Sequence, residues 1–147
     1  MQNIETDQRV QFFIETCQRH RLKITPQRVA IYRVLIRSKQ HPTADLMFRT
    51  VKKDFPNISF DTVNRTLLTF AAIGMVEVVE TFGGPKRFDP DTSDHHHLHC
   101  VACGRIIDFE YAGYARLDVP EAIAGRFKVI SKRVVLKGLC ETCAQKR

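Results

Sequence analysis

The first part of the chain repeats apolar residues at the spacing of an α-helix. Within residues 7–20 the apolar positions follow an i, i+3, i+4, i+7 pattern, which predicts an amphipathic helix. These positions are Val10, Phe13, Ile14 and Cys17. We expect Cys17 to be buried there as a small apolar residue, in preference to a redox role.

Capping residues predict where the next two helices begin. Thr25 followed by Pro26 indicates a helix that runs to about Ser38, because threonine caps helices and proline suits their first position. In the same way, Thr43 predicts a third helix over residues 44–54.

A fourth helix is predicted from Ser59 to Gly74, where the glycine provides a C-terminal stop. One of its faces is apolar, and the other has short polar side chains around a single arginine. The apolar positions are Phe60, Val63, Leu67, Phe70 and Ala71, and the polar ones are Thr62, Asn64, Arg65, Thr66 and Thr69. Short donors beside an arginine are typical of a helix that contacts base edges and phosphates, and a merely solvated helix is the alternative.

Two short strands are predicted next, at residues 75–81 and 86–88, joined by a Phe-Gly-Gly-Pro turn. Lys86 and Arg87 place positive charge near the tip of this hairpin. Helices followed by a basic hairpin predict a winged helix-turn-helix. In that arrangement the last helix enters the major groove of double-stranded DNA and the hairpin contacts the backbone or the minor groove.

The rest of the chain mixes strands with a weaker helix. The predicted elements are a strand at 106–111, a poorer helix at 114–125 that Pro120 interrupts and Gly125 ends, and a strand at 127–136. We expect a domain boundary at about Pro90. The predicted fold is therefore α+β, with an N-terminal winged helix-turn-helix DNA-binding domain at 1–90 and a C-terminal α/β domain at 91–147.

Charge and composition narrow the class of protein. The chain has a net charge of +7, and residues 1–90 hold 14 basic against 9 acidic side chains, which suits a polyanionic partner of the N-terminal domain. There is no apolar run long enough for a membrane span and no export signal, so we expect a cytoplasmic protein without a membrane partner. Five cysteines in such a chain argue against a disulfide framework.

Four of the five cysteines form two C-x-x-C pairs. Cys100 and Cys103 make the first, Cys140 and Cys143 the second, and 36 residues separate the inner cysteines. Four thiolates in this pattern predict the closed tetrahedral shell of a structural Zn²⁺. Such an ion stabilises a domain this small, and the paired spacing makes a redox dithiol the weaker alternative.

A second set of metal-binding side chains overlaps the first cysteine pair. Its members contain nitrogen and oxygen donors without sulfur, which suits Fe²⁺, Mn²⁺ or Zn²⁺. They are Asp89, His95, His97 and Asp108. His95 and His97 project to the same side of an extended chain, His99 repeats their phase and His96 points the other way. Periodicity alone leaves open which histidines bind metal.

Five segments resemble the ferric uptake regulator (Fur) family in order and spacing. They are T-P-Q-R at 25–28, H-P-T-A-D at 41–45, D-T-V-N-R-T-L at 61–67, S-D-H-H-H-L-H-C-V-A-C-G-R-I-I-D-F at 93–109 and G-L-C-E-T-C at 138–143. Within the family the chain is most similar to the peroxide-sensing (PerR-like) branch. The resemblance implies a homodimeric, metal-dependent repressor of palindromic operators, whose C-terminal domain is zinc-stapled and serves dimerisation and metal sensing.

The resemblance also implies the metal ligands. The structural zinc ligands are Cys100, Cys103, Cys140 and Cys143, and the regulatory Fe²⁺ or Mn²⁺ ligands are His41, Asp89, His95, His97 and Asp108. His41 comes from the resemblance only, since spacing does not indicate it. In the peroxide-sensing branch peroxide reacts at the regulatory Fe²⁺ and a ligating histidine is oxidised, here His41 or His95. The alternative within the family is a repressor that senses iron, manganese or zinc availability and ignores peroxide.

For DNA, the resemblance points to Lys23 in the minor groove and to the fourth helix in the major groove. The candidate contacts are Lys23, Arg28, Ser59, Thr62, Asn64, Arg65, Lys86 and Arg87. The family usually has tyrosine at the position of Asn64 and a small residue at that of Asp61, so an operator unlike the family's usual one is an open alternative. No Ser, Lys or Glu constellation beside the regulatory ligands supports a hydrolase, so we do not expect an enzyme.

Overall fold

The computed structural model describes residues 2–79 and 81–146, which form two compact units. The first ends at Thr92 and the second begins at Ser93. Four helices and a two-stranded antiparallel sheet make up the first unit. Their bounds are α1 Gln2–Arg19, α2 Pro26–Arg37, α3 Ala44–Val51, α4 Phe60–Ala72, β1 Glu77–Val79 and β2 Arg87–Asp89.

Side-chain caps start three of these helices at the predicted residues. The hydroxyl oxygen of Thr25 accepts from the N–H of Arg28 at 3.2 Å. Thr43 caps α3 and Ser59 caps α4 with the same geometry, at 3.2 and 3.1 Å. Each such cap contributes about 1 kcal/mol to helix stability, so local chemistry decides where these helices begin.

An aromatic cluster forms the centre of the first unit. The ring of Phe13 in α1 stacks on Tyr32 in α2 at 4.6 Å between centroids and meets the edge of Phe70 in α4 at 5.1 Å. Phe13, Phe70 and the neighbouring Cys17 have no solvent exposure, which confirms the expected burial of Cys17. The cluster joins α1, α2 and α4 around one core.

Several details of the first unit differ from the sequence predictions. α1 begins five residues earlier than residue 7, and α3 ends at Val51 because residues 52–54 turn instead of continuing the helix. Phe60 is 45% exposed and leans against Phe48, so it lies at the rim of the core. Thr66, predicted on the polar face of α4, is buried, and its hydroxyl donates to the Thr62 carbonyl at 2.7 Å. The predicted strand at 75–81 is shorter, with Glu80 outside the described residues.

A three-stranded sheet organises the second unit. β3 (His96–Cys100) is central; β4 (Ile106–Phe109) pairs with it antiparallel and β5 (Val135–Gly138) pairs with it parallel. Between β4 and β5 lie a 3-10 helix at Ala112–Arg116 and the short helix α5 at Glu121–Ala124. The helix α6 at Glu141–Gln145 follows β5. The sheet thus places the first cysteine pair at the end of β3 and the second just after β5.

One prediction for the second unit is confirmed and another is wrong. The helix expected over 114–125 is interrupted at Pro120, which cannot donate within a helix, and it ends at Gly125, as predicted; its two parts are a 3-10 helix and the four-residue helix α5. The strand expected over 127–136 is instead Val135–Gly138, and residues 127–134 form no regular element. The apolar residues that alternate in this segment therefore do not form a strand, because a strand also needs a backbone partner, and residues 127–132 are exposed. No helix among the described residues is long and apolar enough to span a membrane.

Candidate metal centres and nucleic-acid contacts

The four paired cysteines converge at one end of the second unit. Parallel pairing sets Cys100 opposite Gly138, which carries the second pair to the first. One sulfur atom from each of the four residues lies within 4.8 Å of all the others. Gly104, with a φ of 76°, lets the chain turn directly after Cys103. The chain thus forms two knuckles that face one point.

The thiols of this cluster need a cation to ionise together. Hydrogen bonds from the backbone N–H groups of Cys140 and Cys103 lower the pKa of Cys100 to about 6. The hydrogen bond with the Cys140 side chain raises the pKa of Cys143 to about 12, since one thiolate opposes the ionisation of its neighbours. Cys100 and Cys140 are buried, at 3% and 5% exposure. Four sulfur donors this close fit the tetrahedral shell of Zn²⁺.

A second donor cluster lies within the second unit on β3 and β4. Antiparallel register sets His97 opposite Asp108, and Nε2 of His97 lies 3.1 Å from Oδ1 of that aspartate. Nε2 of His95 lies 3.0 Å from Nε2 of His97 and 3.7 Å from the same carboxylate oxygen. Both imidazoles are 2% exposed. Two nitrogens and one oxygen converge on a single point, as first-row divalent metals require.

Backbone groups orient these ligands, and sequence reasoning did not identify them. Nδ1 of His95 lies 2.7 Å from the Ser93 carbonyl oxygen, so this nitrogen carries the proton and Nε2 keeps the lone pair that a metal needs. The N–H of Asp91 donates to Oδ1 of Asp89 at 2.9 Å. Backbone atoms have no residue-type signal, so only the folded chain can assign them this role.

In the first unit the structure brings together His41 and Asp89. Nε2 of His41 lies 3.2 Å from Oδ2 of Asp89, and the two residues are only 5% and 3% exposed. Asp89 ends β2, whereas His41 lies in the turn before α3. A buried imidazole nitrogen and a carboxylate oxygen this close together can serve as two ligands of one divalent metal.

The two remaining histidines of the second unit face other groups. His96 packs edge-on against Tyr114 at 5.0 Å between centroids, and its Nδ1 accepts from the N–H of Val134 at 3.0 Å. Burial lowers the pKa of His96 and keeps it neutral. His99 is buried, with its ring 6.3 Å from that of His97. His96 thus links β3 to the segment before β5.

The exposed side of α4 presents the predicted recognition residues. Arg65 is exposed, and its Nε lies 3.0 Å from Oδ2 of Asp61, one turn earlier. Thr62 and Asn64 are partly exposed, and the hydroxyls of Ser59 and Thr62 lie 2.9 Å apart. The exposed side of the Asp61–Arg65 turn is therefore polar and available to a ligand.

The other predicted contacts lie before α2 and on the hairpin. Lys23 is exposed, and the guanidinium of Arg28 donates to its carbonyl oxygen. Lys86 is exposed near the hairpin turn. Arg87 is half-buried, and its guanidinium donates to the carbonyl oxygens of residues 40 and 41. The sequence gives no local signal for this last contact, since the partners lie more than 40 positions away.

Residues 19–137 match the Ferric uptake regulator family. The "Peroxide operon regulator" of Bacillus subtilis (strain 168) is 38% identical over 133 residues, which cover 90% of this chain and 92% of that protein. The "Peroxide-responsive repressor PerR" of Staphylococcus saprophyticus is 41% identical over 128 residues, which cover 85% of this chain and 84% of that protein.

A solved structure supports the fold. The ferric uptake regulator Fur of Helicobacter pylori superposes with a TM-score of 0.77 at 22% identity, over 95% of this chain and 93% of that one. This superposition confirms the α+β fold class, and the family match over residues 19–137 with the two relatives confirms the family resemblance. The chain belongs to the ferric uptake regulator family, whose members are metal-dependent regulators of transcription that bind DNA as dimers and are not enzymes.

Proposed function

We propose that this chain is a metal-dependent repressor of transcription that senses peroxide through oxidation of a regulatory-site histidine. The observation that carries the proposal is the sulfur-free donor set: the buried pair His41–Asp89, with 3.2 Å between its ligand atoms, and the cluster of His95, His97 and Asp108. The relatives that match most of the chain bear the names of peroxide regulators.

One regulatory ion uses both parts of this donor set. Three imidazole nitrogens and two carboxylates suit Fe²⁺ or Mn²⁺, which take five or six nitrogen and oxygen ligands. An ion bound to all five residues ties the DNA-binding domain, residues 1–90, to the dimerisation and sensing domain, residues 91–147. Metal binding then favours one arrangement of the dimer, and this is how metal controls affinity for DNA.

Peroxide acts on the ligands themselves. Bound Fe²⁺ supplies the redox chemistry with peroxide that Mn²⁺ lacks. In the net reaction a ring carbon of His41 or His95 exchanges its C–H bond for a bond to one peroxide oxygen, and the other oxygen leaves as water. The oxidised ring is a poorer ligand, because it is no longer aromatic and its nitrogens become amide-like, without a lone pair directed at the metal. Without that histidine the remaining residues would hold the regulatory ion more weakly, and the repressor would release DNA.

The zinc site and the dimer depend on the second unit. Cys100, Cys103, Cys140 and Cys143 hold a structural Zn²⁺, which staples β3 to the chain after β5. Large apolar side chains remain exposed in this unit, among them Phe127 at 61% and Ile130 at 90%. A second copy of the chain covers such residues in the homodimer.

The exposed side of α4 and the exposed cations of the first unit form its DNA-binding surface. The recognition helix α4 presents Ser59, Thr62, Asn64 and Arg65 to the major groove, and Lys23, with Arg28 holding its carbonyl, contacts the minor groove. Of the hairpin residues Lys86 and Arg87, the exposed Lys86 contacts phosphate. A two-fold dimer requires a palindromic operator. A DNA-binding protein with zinc thiolates acts in the reducing cytoplasm.

The experiment that tests this function compares two metals. Operator binding by the zinc-loaded dimer is measured with Fe²⁺ and with Mn²⁺, each with and without peroxide. We expect peroxide to release DNA from the Fe²⁺ form only. Mass spectrometry of peptides should then find one added oxygen at His41 or His95.

A matched control separates ligand oxidation from general damage. The peptides that contain Met75 and His20, which are outside the donor set and on other tryptic fragments than His41 and His95, report unspecific oxidation. Release under both metals, or release without oxygen on His41 or His95, contradicts the mechanism. Metal-dependent binding that peroxide leaves unchanged assigns the chain to the sensors of iron, manganese or zinc availability.

A further inference from the structure

The geometry points to Arg87 as a positioning residue for His41: we infer that its guanidinium fixes the turn that presents this imidazole to the regulatory metal. The inference rests on the proposed function, since it takes His41 as a metal ligand. It reassigns Arg87 from a DNA contact to the support of the metal site. All contacts that carry it lie within the first unit.

The backbone of His41 needs such support. Its φ is +50°, in the left-handed region that a non-glycine residue rarely adopts. A residue holds this conformation at a cost of about 1–3 kcal/mol, so surrounding contacts must maintain it. A β-region backbone at this position turns the side chain away from Asp89, and the 3.2 Å approach of the two ligand atoms is lost.

Arg87 supplies contacts of the right kind. Its Nε donates to the carbonyl oxygen of His41, and its Nη2 donates to that of Gln40. Two donors of one rigid fork thus hold two successive carbonyls, which determines the orientation of the peptide between them. A lysine in the same place offers one point charge and cannot fix that orientation.

The backbone of β2 completes the attachment. The N–H of Phe88 donates to the carbonyl of Pro42 at 3.0 Å, and Thr43 forms an isolated antiparallel bridge with Arg87. Residues 40–43 are therefore attached to the same strand that ends in Asp89. Both ligands of the first unit are set by one strand, and the guanidinium supplies the side-chain part of that link.

The position of Arg87 also distinguishes it from the neighbouring cation. Lys86 is exposed, whereas Arg87 is half-buried. Its guanidinium donates to two backbone carbonyls of its own domain, so its role is to hold that backbone in place.

The test measures Mn²⁺ affinity of the full-length, zinc-loaded protein by competition with a fluorescent chelator. For Arg87→Met we expect affinity to fall by at least about ten-fold, as for other groups that orient a ligand. Arg87→Lys should lie between that variant and the wild type. Arg49→Met is the matched control, because Arg49 is an exposed arginine of the same unit and should leave Mn²⁺ affinity unchanged.

Zinc content and thermal unfolding without Mn²⁺ exclude a general loss of folding. If Arg87→Met does not fold, Arg87→Lys decides alone: weaker Mn²⁺ binding at an unchanged melting temperature supports the inference. Wild-type Mn²⁺ affinity in the folded Arg87 variants overturns it. His41→Ala separates the two proposals. If His41→Ala weakens Mn²⁺ binding and the Arg87 variants do not, the proposed function stands and this inference is wrong. Unchanged binding by His41→Ala rejects the ligand assignment itself.

Discussion

His97 and Asp108 lie directly opposite each other on two antiparallel strands, with Nε2 and Oδ1 3.1 Å apart. No local pattern sets these two side chains opposite each other, since ten residues, which include the first cysteine knuckle, lie between them. Gly104 turns the chain back so that β4 returns beside β3. The knuckle of the zinc cluster therefore also sets the spacing of this second donor cluster.

Asp108→Asn should weaken the binding of Mn²⁺ by at least about ten-fold, because an amide keeps the shape of the side chain but removes the charge that a metal requires. Zinc content should stay the same, since no sulfur ligand changes. Calorimetric titration with Mn²⁺ measures the affinity and elemental analysis measures the zinc. Asp118→Asn, at an exposed aspartate of the same unit, is the control. Equal Mn²⁺ affinities for the two variants contradict the assignment of Asp108.

Zinc affinity should fall as the pH is lowered, and more steeply below about pH 6. Zn²⁺ binds thiolates, so protons compete with it. The pKa of Cys143 is raised to about 12, so this thiol must release its proton to zinc throughout the neutral range. The pKa of Cys100 is lowered from 9.0 to about 6, so its anionic form is favoured in the folded chain and is lost as the pH falls through about 6.

Chelator competition at a series of pH values measures this profile. Cys17→Ala is the control, because burial raises the pKa of Cys17 and the residue lies in the other unit. Its profile should match that of the wild type. A slope that stays constant from pH 8 to pH 5 contradicts the assigned role of Cys100.

Asp61→Asn should strengthen DNA binding and make it more dependent on salt. The carboxylate pairs with Arg65 at 3.0 Å on the exposed side of α4, and this pair contributes only a few tenths of a kcal/mol to stability. Removing it frees a cation and removes a repulsion from phosphate. Asp45→Asn breaks the same kind of pair, at 3.1 Å with Arg49, away from the recognition helix. Salt titrations of operator binding measure both variants. If Asp45→Asn changes operator affinity more than Asp61→Asn does, the proposed role of Asp61 is wrong.

Phe13→Ala should destabilise the first unit by about 3–5 kcal/mol, as expected for a fully buried aromatic residue. The ring has no exposure and contacts Tyr32 and Phe70, so its loss leaves a cavity between three helices. Urea unfolding measures the change. Phe12→Ala is the matched control, because Phe12 is 53% exposed on the same helix and its removal should change stability little. Similar losses in both variants are incompatible with this packing.

Much of the first unit was predictable because its determinants are local. Caps at Thr25, Thr43 and Ser59 start helices within the next three residues, and the helical period selects the buried face. Phe60 and Thr66 are the exceptions. Periodicity assigns a face from spacing alone, whereas in the fold Phe60 packs on the neighbouring Phe48 and the buried Thr66 donates to a carbonyl of its own helix.

The second unit was less predictable because its elements depend on distant partners. The strand predicted over 127–136 is displaced to Val135–Gly138, since a β-strand exists only where its backbone finds another. The same holds for His96, whose partner Val134 lies 38 positions away. Such pairings have no period along the chain and cannot be inferred from it.

By itself the sequence determined the helices, the paired cysteines and the residue types suited to two kinds of metal, because each of these follows from spacing or from donor chemistry. Only the tertiary structure decided which donor atoms meet: the four sulfurs within 4.8 Å, His95 and His97 at Asp108, and His41 at Asp89. It also turned Arg87 toward the carbonyl of His41. The reason is physical, since metal ligands must converge to within a few ångströms and residues far apart in sequence reach that distance only through the packing of the fold.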